Sequence, residues 1–415
     1  MALANILSYL DRIIINLLVQ PIQKDLGIND TQFGMLQGLA FGLFYTLLAL
    51  PIGRLVDSRP RKAIIVAGVT TFSLFSLFSG LSRSFGQLFI ARAGVGAGEA
   101  SLTPAAYSLI PDLFPPAQLG RGISVFTMTA FIGIGLAYIA GGAAIAFVSA
   151  ADFGWFPLMD RIAGWQRVFV LVALPGLFVA LLLLVLLPEP IRRGRSGAGQ
   201  VPVGEAFRYM REQAPLFTPM FGGFAMITLA SYASAVWTPA FFIRSFGWSP
   251  AQIGLWVGLG YLFLGPLGAL GAGRWCDSLT ARDVKDAPLR VASISALFSG
   301  LLSALSPVMP TAELALAVLL LSVPFGTMAF PMAGTAIGLV TPNELRGQVS
   351  ALYMLVINAV GLGLGPMLVG AMSDYLFTGP DGVRFGLAVV NLITAPFAFW
   401  LIWRARRPYL ERRGA

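Results

Sequence analysis

Apolar runs recur along this chain, separated by short polar connections. They fall at about 1–20, 31–56, 62–81, 86–111, 121–148, 165–188, 214–244, 249–275, 290–308, 312–340, 345–376 and 384–404. A helix needs about 20 apolar residues to cross a bilayer, so the pattern predicts an all-α chain with twelve membrane spans. The longest polar connection, about Pro188 to Gln213, lies near the middle. It includes an amphipathic stretch, Val203 to Arg211, of the kind that lies on a membrane surface. The expected organisation is a six-helix bundle over 1–188, a linker over 189–213, and a second six-helix bundle with a basic tail over 214–415.

Sliding the chain by 220 residues aligns Gly27 with Gly247, Gln32 with Gln252, Gly34 with Gly254 and Gly38 with Gly258. The match runs on without a gap to Gly53/Gly273, Arg54/Arg274, Asp57/Asp277 and Ser58/Ser278, and Arg121-Gly122 matches Arg346-Gly347 at a slightly larger offset. Apolar composition alone does not place Gly-Arg-x-x-Asp-Ser at the same point in both halves. The chain reads as a duplicated six-span unit, an internal symmetry common in transporters.

Composition agrees: 57% of the residues are hydrophobic and 11% charged, against roughly a quarter charged in soluble domains. The net charge of +9 raises a nucleic-acid reading, but its distribution argues against one. The cations cluster at Arg54, Arg59, Arg61 and Lys62, at Arg192, Arg193 and Arg195, at Arg274, Arg282 and Lys285, and at Arg404, Arg406, Arg407, Arg412 and Arg413. Those clusters follow even-numbered spans or close the chain, so the positive-inside rule puts both termini in the cytoplasm. Met1 opens almost directly into an apolar stretch, so no cleaved signal peptide is expected. A lone cysteine, Cys276, and the lack of histidine exclude an internal disulfide, a cysteine metal cluster and His-based chemistry. No Walker-type loop is present, so ATP hydrolysis has no support. No cofactor or metal is expected.

The stretch Gly53-Arg-Leu-Val-Asp-Ser-Arg-Pro-Arg-Lys62 resembles the loop signature of the major facilitator superfamily, with Pro60 where the family usually has glycine. The resemblance implies that superfamily's fold: two pseudo-symmetric six-helix bundles with a pathway between them. Gly53 is expected to let two helices approach closely. Asp57 is expected to pair with Arg121 or to cap a helix of the other half, closing a cytoplasmic gate with Asp277 and Arg346 as the repeat. For Arg61, a gate role and plain positive-inside topology both remain open.

Ionisable groups inside spans are costly and functional by default. Span one carries Asp11 and Arg12; span four carries Arg92 and Glu99, seven residues apart and so on one helix face. Arg92 either faces a cavity or snorkels to a helix end. Glu99 is expected to pair with Arg12, as a proton site or as a static brace, and Asp11 and Arg12 also form a possible structural pair.

Ser8-Tyr-Leu-Asp-Arg12 and Arg92-Ala-Gly-Val-Gly-Ala-Gly-Glu-Ala-Ser101, extended by Pro111-Asp-Leu-Phe114 and Gly133-Ile-Gly-Leu-Ala-Tyr138, resemble the spinster family of facilitators. Related elements occur in facilitators of organic anions. The spinster resemblance implies that Asp11, Arg12 and Glu99 lie in a central cavity and couple proton movement to export of lipid-like molecules such as lysophospholipids and sphingosine phosphate. Gly94, Gly96 and Gly98 read as close helix packing, since a dinucleotide loop needs a preceding strand. Tyr232, Trp237, Tyr353 and Asn358 in the second half either line the cavity or pack.

The expected activity is proton-driven secondary transport of a small amphiphilic anion, with a sugar or small organic anion as the alternative cargo. Arg12 and Arg92 would bind the substrate; Glu99 and Asp11 would carry the proton. A channel is disfavoured by the repeat and gate motifs. A membrane-embedded enzyme is disfavoured because no nucleophile, metal set or cofactor motif accompanies Asp11 and Glu99. The expected partners are the substrate, protons and membrane lipids, with the monomer as the working unit in the cell membrane, the inner membrane of a bacterium.

Overall fold

A computed structural model describes residues 1–114, 118–153, 157–190 and 203–414, with the backbone alone at 57, 119–125, 157, 158 and 203. The helices are, in order, α1 (Ala2–Leu17), α2 (Val19–Leu26), α3 (Asp30–Met35), a π-helical segment (Leu36–Leu43), α4 (Phe44–Ser58), α5 (Arg61–Ser79), α6 (Phe85–Glu99) and α7 (Leu102–Leu113). They continue with α8 (Leu119–Ala150), α9 (Pro157–Asp160), α10 (Gly164–Leu186), α11 (Val203–Glu212), α12 (Ala214–Phe246), α13 (Pro250–Thr280), α14 (Ala287–Leu305) and α15 (Ala312–Val340). The last elements are α16 (Asn343–Ile357), α17 (Gly363–Ala371) and α18 (Gly382–Gly414), with π segments at Asn358–Leu362 and Met372–Leu376. No strand occurs among the described residues.

Among those residues, 10 helical runs are long and apolar enough to cross a bilayer, or 11 with the pair α1 and α2, which bends by 63°. The first span is therefore not the single helix expected over 1–20. The expected span 86–111 is two helices, α6 and α7, broken at Ala100 and Ser101. Neither half is long enough to span alone, which is why an apolar window over the sequence joins them.

The duplication is visible in backbone detail. Gly27 and Gly247 both adopt left-handed φ, +64° and +68°, the conformation that ends a helix at little cost only with glycine. Three residues of spacing then repeat the same cap. The Gln32 N–H donates to Asn29 Oδ1 at 2.8 Å, and the Gln252 N–H to Ser249 Oγ at 3.1 Å.

The described chain forms two compact units, Met1–Arg195 with Ala235–Leu262, and Ser196–Ser234 with Phe263–Ala415. In the first, α6 lies so close to its neighbours that a Cβ added at Gly96 would come within 2.4 Å of the Phe41 carbonyl oxygen. The glycine series therefore serves close packing, and it brings α6 against the π segment that carries Gln37 and Phe41. In the second unit, Tyr353 lies between Phe221 and Phe224, with ring centroids 5.4 and 5.9 Å away. The amphipathic stretch after the linker is α11, tied to this unit by the Tyr209 hydroxyl, which donates to Val340 O at 2.8 Å. The linker residues 191–202 lie outside the described residues.

Candidate functional site

Asp11 and Arg12 are neighbours on α1, so their side chains leave the helix about 100° apart and meet different partners. Arg92 and Glu99, two turns apart on α6, receive them. Arg12 Nη2 donates to Glu99 Oε2 at 2.5 Å, and Arg92 Nη1 to Asp11 Oδ2 at 3.3 Å. Ser76 of α5 donates its hydroxyl to Asp11 Oδ1. The expected Glu99–Arg12 pair is present; the alternative pairing of Asp11 with Arg12 is not, because Arg12 is turned to Glu99. Nor does Arg92 snorkel: its side chain is wholly buried, while that of Arg12 keeps 15% of its surface exposed. Glu99 Oε1 is buried and has no hydrogen-bond partner among the described residues.

Three aromatic rings surround the Arg12 guanidinium: Tyr9 at 5.3 Å, Phe41 at 4.7 Å and Tyr45 at 5.2 Å. Phe41 also lies 5.3 Å from the Arg92 guanidinium. Such faces attract cations, so they offset part of the cost of holding two arginines away from water. Sequence reading missed this cage; Tyr9, inside the Ser8–Arg12 motif, was its one visible sign.

A second site lies at the end of the first unit away from the basic connection Arg59–Lys62. Arg244, near the end of α12, forms a two-pronged bond to Asp30, with Nη1 to Oδ2 at 2.8 Å and Nη2 to Oδ1 at 2.7 Å. Gln23 completes the group, accepting from Arg244 Nη2 and donating to Asp30 Oδ1, both at 2.7 Å. Trp237 lies beneath, fully buried, 6.0 Å from the guanidinium and edge-on to Phe33 at 5.7 Å. This bond joins residues 214 apart.

Arg61 is a buried hub of the first unit. It donates to Asp112, to Ser108 O at 2.9 Å, to Pro190 O at 2.9 Å and to Glu189 Oε1 at 3.1 Å. It thereby ties the start of α5 to α7 and to the segment that follows α10. Glu189 also accepts the Lys62 N–H at 2.6 Å. Partial burial pushes the Glu189 carboxyl up, but the Lys62 N–H and Arg61 outweigh this and hold it below the usual glutamate range. A lowered folded-state pKa stabilises above the unfolded value, and the gain is lost as pH falls through the folded pKa. Glu189→Gln is therefore expected to lower the melting temperature at neutral pH and to match the parent in strong acid, as thermal melts across pH would check.

The gate candidates are spread out. The side chains of Asp57 and Arg121 lie outside the described residues. Asp277 and Arg346 are both exposed, and among the described residues no ion pair joins them. Gly53 was expected at a close helix approach; among the described residues, no atom lies within 4 Å of a Cβ added there. In the second half, Tyr353 is buried, Tyr232 and Asn358 are half-buried, and Asn391 Nδ2 donates to Ser234 Oγ at 3.1 Å.

The sequence profile described as Major Facilitator Superfamily matches residues 1–366. An MFS-type efflux pump of Mycolicibacterium smegmatis is 29% identical over 420 residues, covering 99% of this chain and 93% of that protein. A probable L-galactonate transporter of Escherichia coli is 24% identical over 429 residues, covering 99% and 89%. Protein spinster homolog 1 of Xenopus tropicalis is 32% identical over 249 residues, covering 58% of this chain and 44% of that protein. A crystal structure of a bacterial homolog of the human lysosomal transporter Spinster, inward-facing and unoccupied, matches with a TM-score of 0.85 at 24% identity, covering 99% of this chain and 96% of that one. The fold is that of those transporters, and the chain is a multi-pass membrane transporter of the Major Facilitator Superfamily.

Proposed function

We propose that this protein is a proton-coupled secondary transporter of a small amphiphilic anion, a lysophospholipid or sphingoid phosphate in type, working by alternating access. The observation that carries the reading is the buried Arg12–Glu99 pair, in which Glu99 Oε1 has no hydrogen-bond partner among the described residues. One cation then serves two anions in turn. With Glu99 ionised, Arg12 holds it. With Glu99 protonated, Arg12 is released to an anionic head group, and its planar fork suits phosphate or carboxylate oxygens. When the head group leaves, a carboxylate again satisfies the arginine and the proton departs. The predicted spans of the second half carry no charge near their middles. A small dianion would draw cations from both sides, because an unpaired buried charge is costly; an amphiphile can lay an apolar tail there instead.

The match to a probable L-galactonate transporter over 99% of this chain favours a second reading, a sugar acid as cargo. Proteoliposome uptake and binding of lysophospholipids, sphingoid phosphates, sugars and sugar acids, with and without an imposed pH gradient, separates the two. Binding of the lipid anions that is lost in Arg12→Ala supports the amphiphile. Selective uptake of a tail-less solute, or lipid binding indifferent to Arg12, overturns it.

Both termini lie in the cytoplasm in this reading, which the basic clusters support, and the halves 1–188 and 214–415 rock about a midplane site. The cytoplasmic gate is built around Asp57 and Asp277. Removing either carboxylate is expected to open that side to water, and single cysteines along α6, α7 and α15 in a Cys276→Ser background report it. Labelling in Asp57→Ala identical to that of its parent would remove the gate's support.

A further inference from the structure

Pro239 lies inside α12. Proline has no N–H, so the carbonyl four residues earlier, that of Ala235, loses its helical donor. Backbone groups within a bilayer need a partner, and this one has two. Ala235 O accepts from Asn16 Nδ2 at 3.2 Å and from the Tyr138 hydroxyl at 2.8 Å.

Asn16 is the end of a chain. Its Oδ1 accepts from Gln37 Nε2 at 2.5 Å, and Gln37 Nε2 also donates to Arg12 O at 3.1 Å. Gln37 Oε1 in turn accepts from Arg92 Nη2 at 3.0 Å, and Arg92 Nη1 holds Asp11. Arginine only donates and a carbonyl only accepts, so the two ends fix the orientation of both amides. Asn16 and Gln37 are each 3% exposed, so water does not replace a lost bond. Gln37 stands in the π segment Leu36–Leu43, an irregularity frequent at functional sites.

The boundary between the two compact units crosses α12 between Ser234 and Ala235, and α13 between Leu262 and Phe263. Leu262 also lies four residues before a proline, Pro266. Both crossings fall where a helix's own hydrogen-bond ladder is interrupted.

We propose that Gln37 and Asn16 are positioning residues that transmit the state of the buried Asp11–Arg92 pair to the proline break of α12 at Ala235–Pro239. The inference rests on the proton-coupled reading. Protonating Asp11 removes the charge that orients Arg92; Arg92 then leaves Gln37, the amides lose their fixed direction, and the Ala235 carbonyl loses a donor. The ionisable groups around Asp11 are Arg92 and Glu99 from α6 and Arg12 from α1, with Ser76 from α5 donating to it. Of the other helices packed on α1, α8 brings Tyr138 and, near its start, Arg121, whose side chain is outside the described residues. The only cation of α10, Arg167, bonds the Met159 and Ile162 carbonyls.

The test is pulsed spin-label distance measurement between Arg83→Cys and Glu313→Cys, both at exposed positions, in the full-length Cys276→Ser protein. The parent is expected to shift its distance distribution on acidification from alkaline to mildly acidic buffer. Asn16→Leu, which removes both amide bonds, is expected to lose that shift. Pro239→Ala returns an N–H to the Ala235 carbonyl and is expected to lose it too, so the test stands even if Asn16→Leu does not fold. The full shift in either variant, with a responsive parent, overturns this link alone. A parent indifferent to pH overturns the link and the proton-coupled reading together.

Discussion

Glu99→Gln is expected to abolish accumulation driven by a pH gradient while leaving substrate binding in place. Glutamine keeps an oxygen that can accept from Arg12 but neither ionises nor carries a proton, so the bond seen at 2.5 Å survives in weaker form. If one proton moves per cycle, a gradient of one pH unit supports up to about tenfold accumulation, about 1.4 kcal/mol. In the variant the ratio of inside to outside substrate should fall to one, with downhill exchange persisting. Arg12 in the variant lacks an anion, and leaving a buried charge unpaired costs roughly 3–5 kcal/mol. Its 15% exposure and its ring of Tyr9, Phe41 and Tyr45 reduce that cost, so the variant is expected to fold. Paired uptake and binding assays check this; undiminished pH-driven uptake would contradict it. Asp11→Asn is expected to impair coupling as well.

The bond between Arg244 and Asp30 should hold its end of the first unit closed. Hydrogen bonds to charged groups contribute about 1.5–3 kcal/mol each, and these groups keep 18% and 9% of their side-chain surface exposed. Taking roughly 2 kcal/mol as the net loss, Arg244→Ala should favour the open form about thirtyfold. Arg244→Lys should fall between, because an ammonium keeps the charge but cannot reproduce the two-pronged contact. A cysteine at Ala240, fully buried on α12, reports the opening. An impermeant thiol reagent supplied from that side should modify it about thirtyfold faster in Arg244→Ala. Equal rates in variant and parent would show that the bond does not hold the end shut.

The fold was legible because its cause is one-dimensional: a bilayer demands long apolar runs, and the runs are in the sequence. The Glu99–Arg12 pair was legible for a related reason. With so few charges in the spans, each had few possible partners. The choice between Arg12 and Arg92 as the partner of Asp11 was not, because it depends on how α1 is rotated against α6. The Arg244–Asp30 bond crosses 214 residues of chain and is invisible to any local pattern. For Arg61 the sequence leaves a gate role and plain topology both open, and only the return of α7 and of the segment after α10 makes it a buried hub. Pro239 was readable as a proline in a span, yet which residues serve the carbonyl it frees is a matter of packing.

In the proposed cycle one buried arginine exchanges a protonatable carboxylate for an anionic substrate. Simultaneous recording of lumenal pH and lysophospholipid flux in proteoliposomes tests it most directly. Adding the lysophospholipid is expected to move protons across the membrane in the wild type, and Glu99→Gln is expected to abolish the proton movement while downhill exchange of the lipid continues. Substrate flux in the wild type with no accompanying proton movement would contradict it.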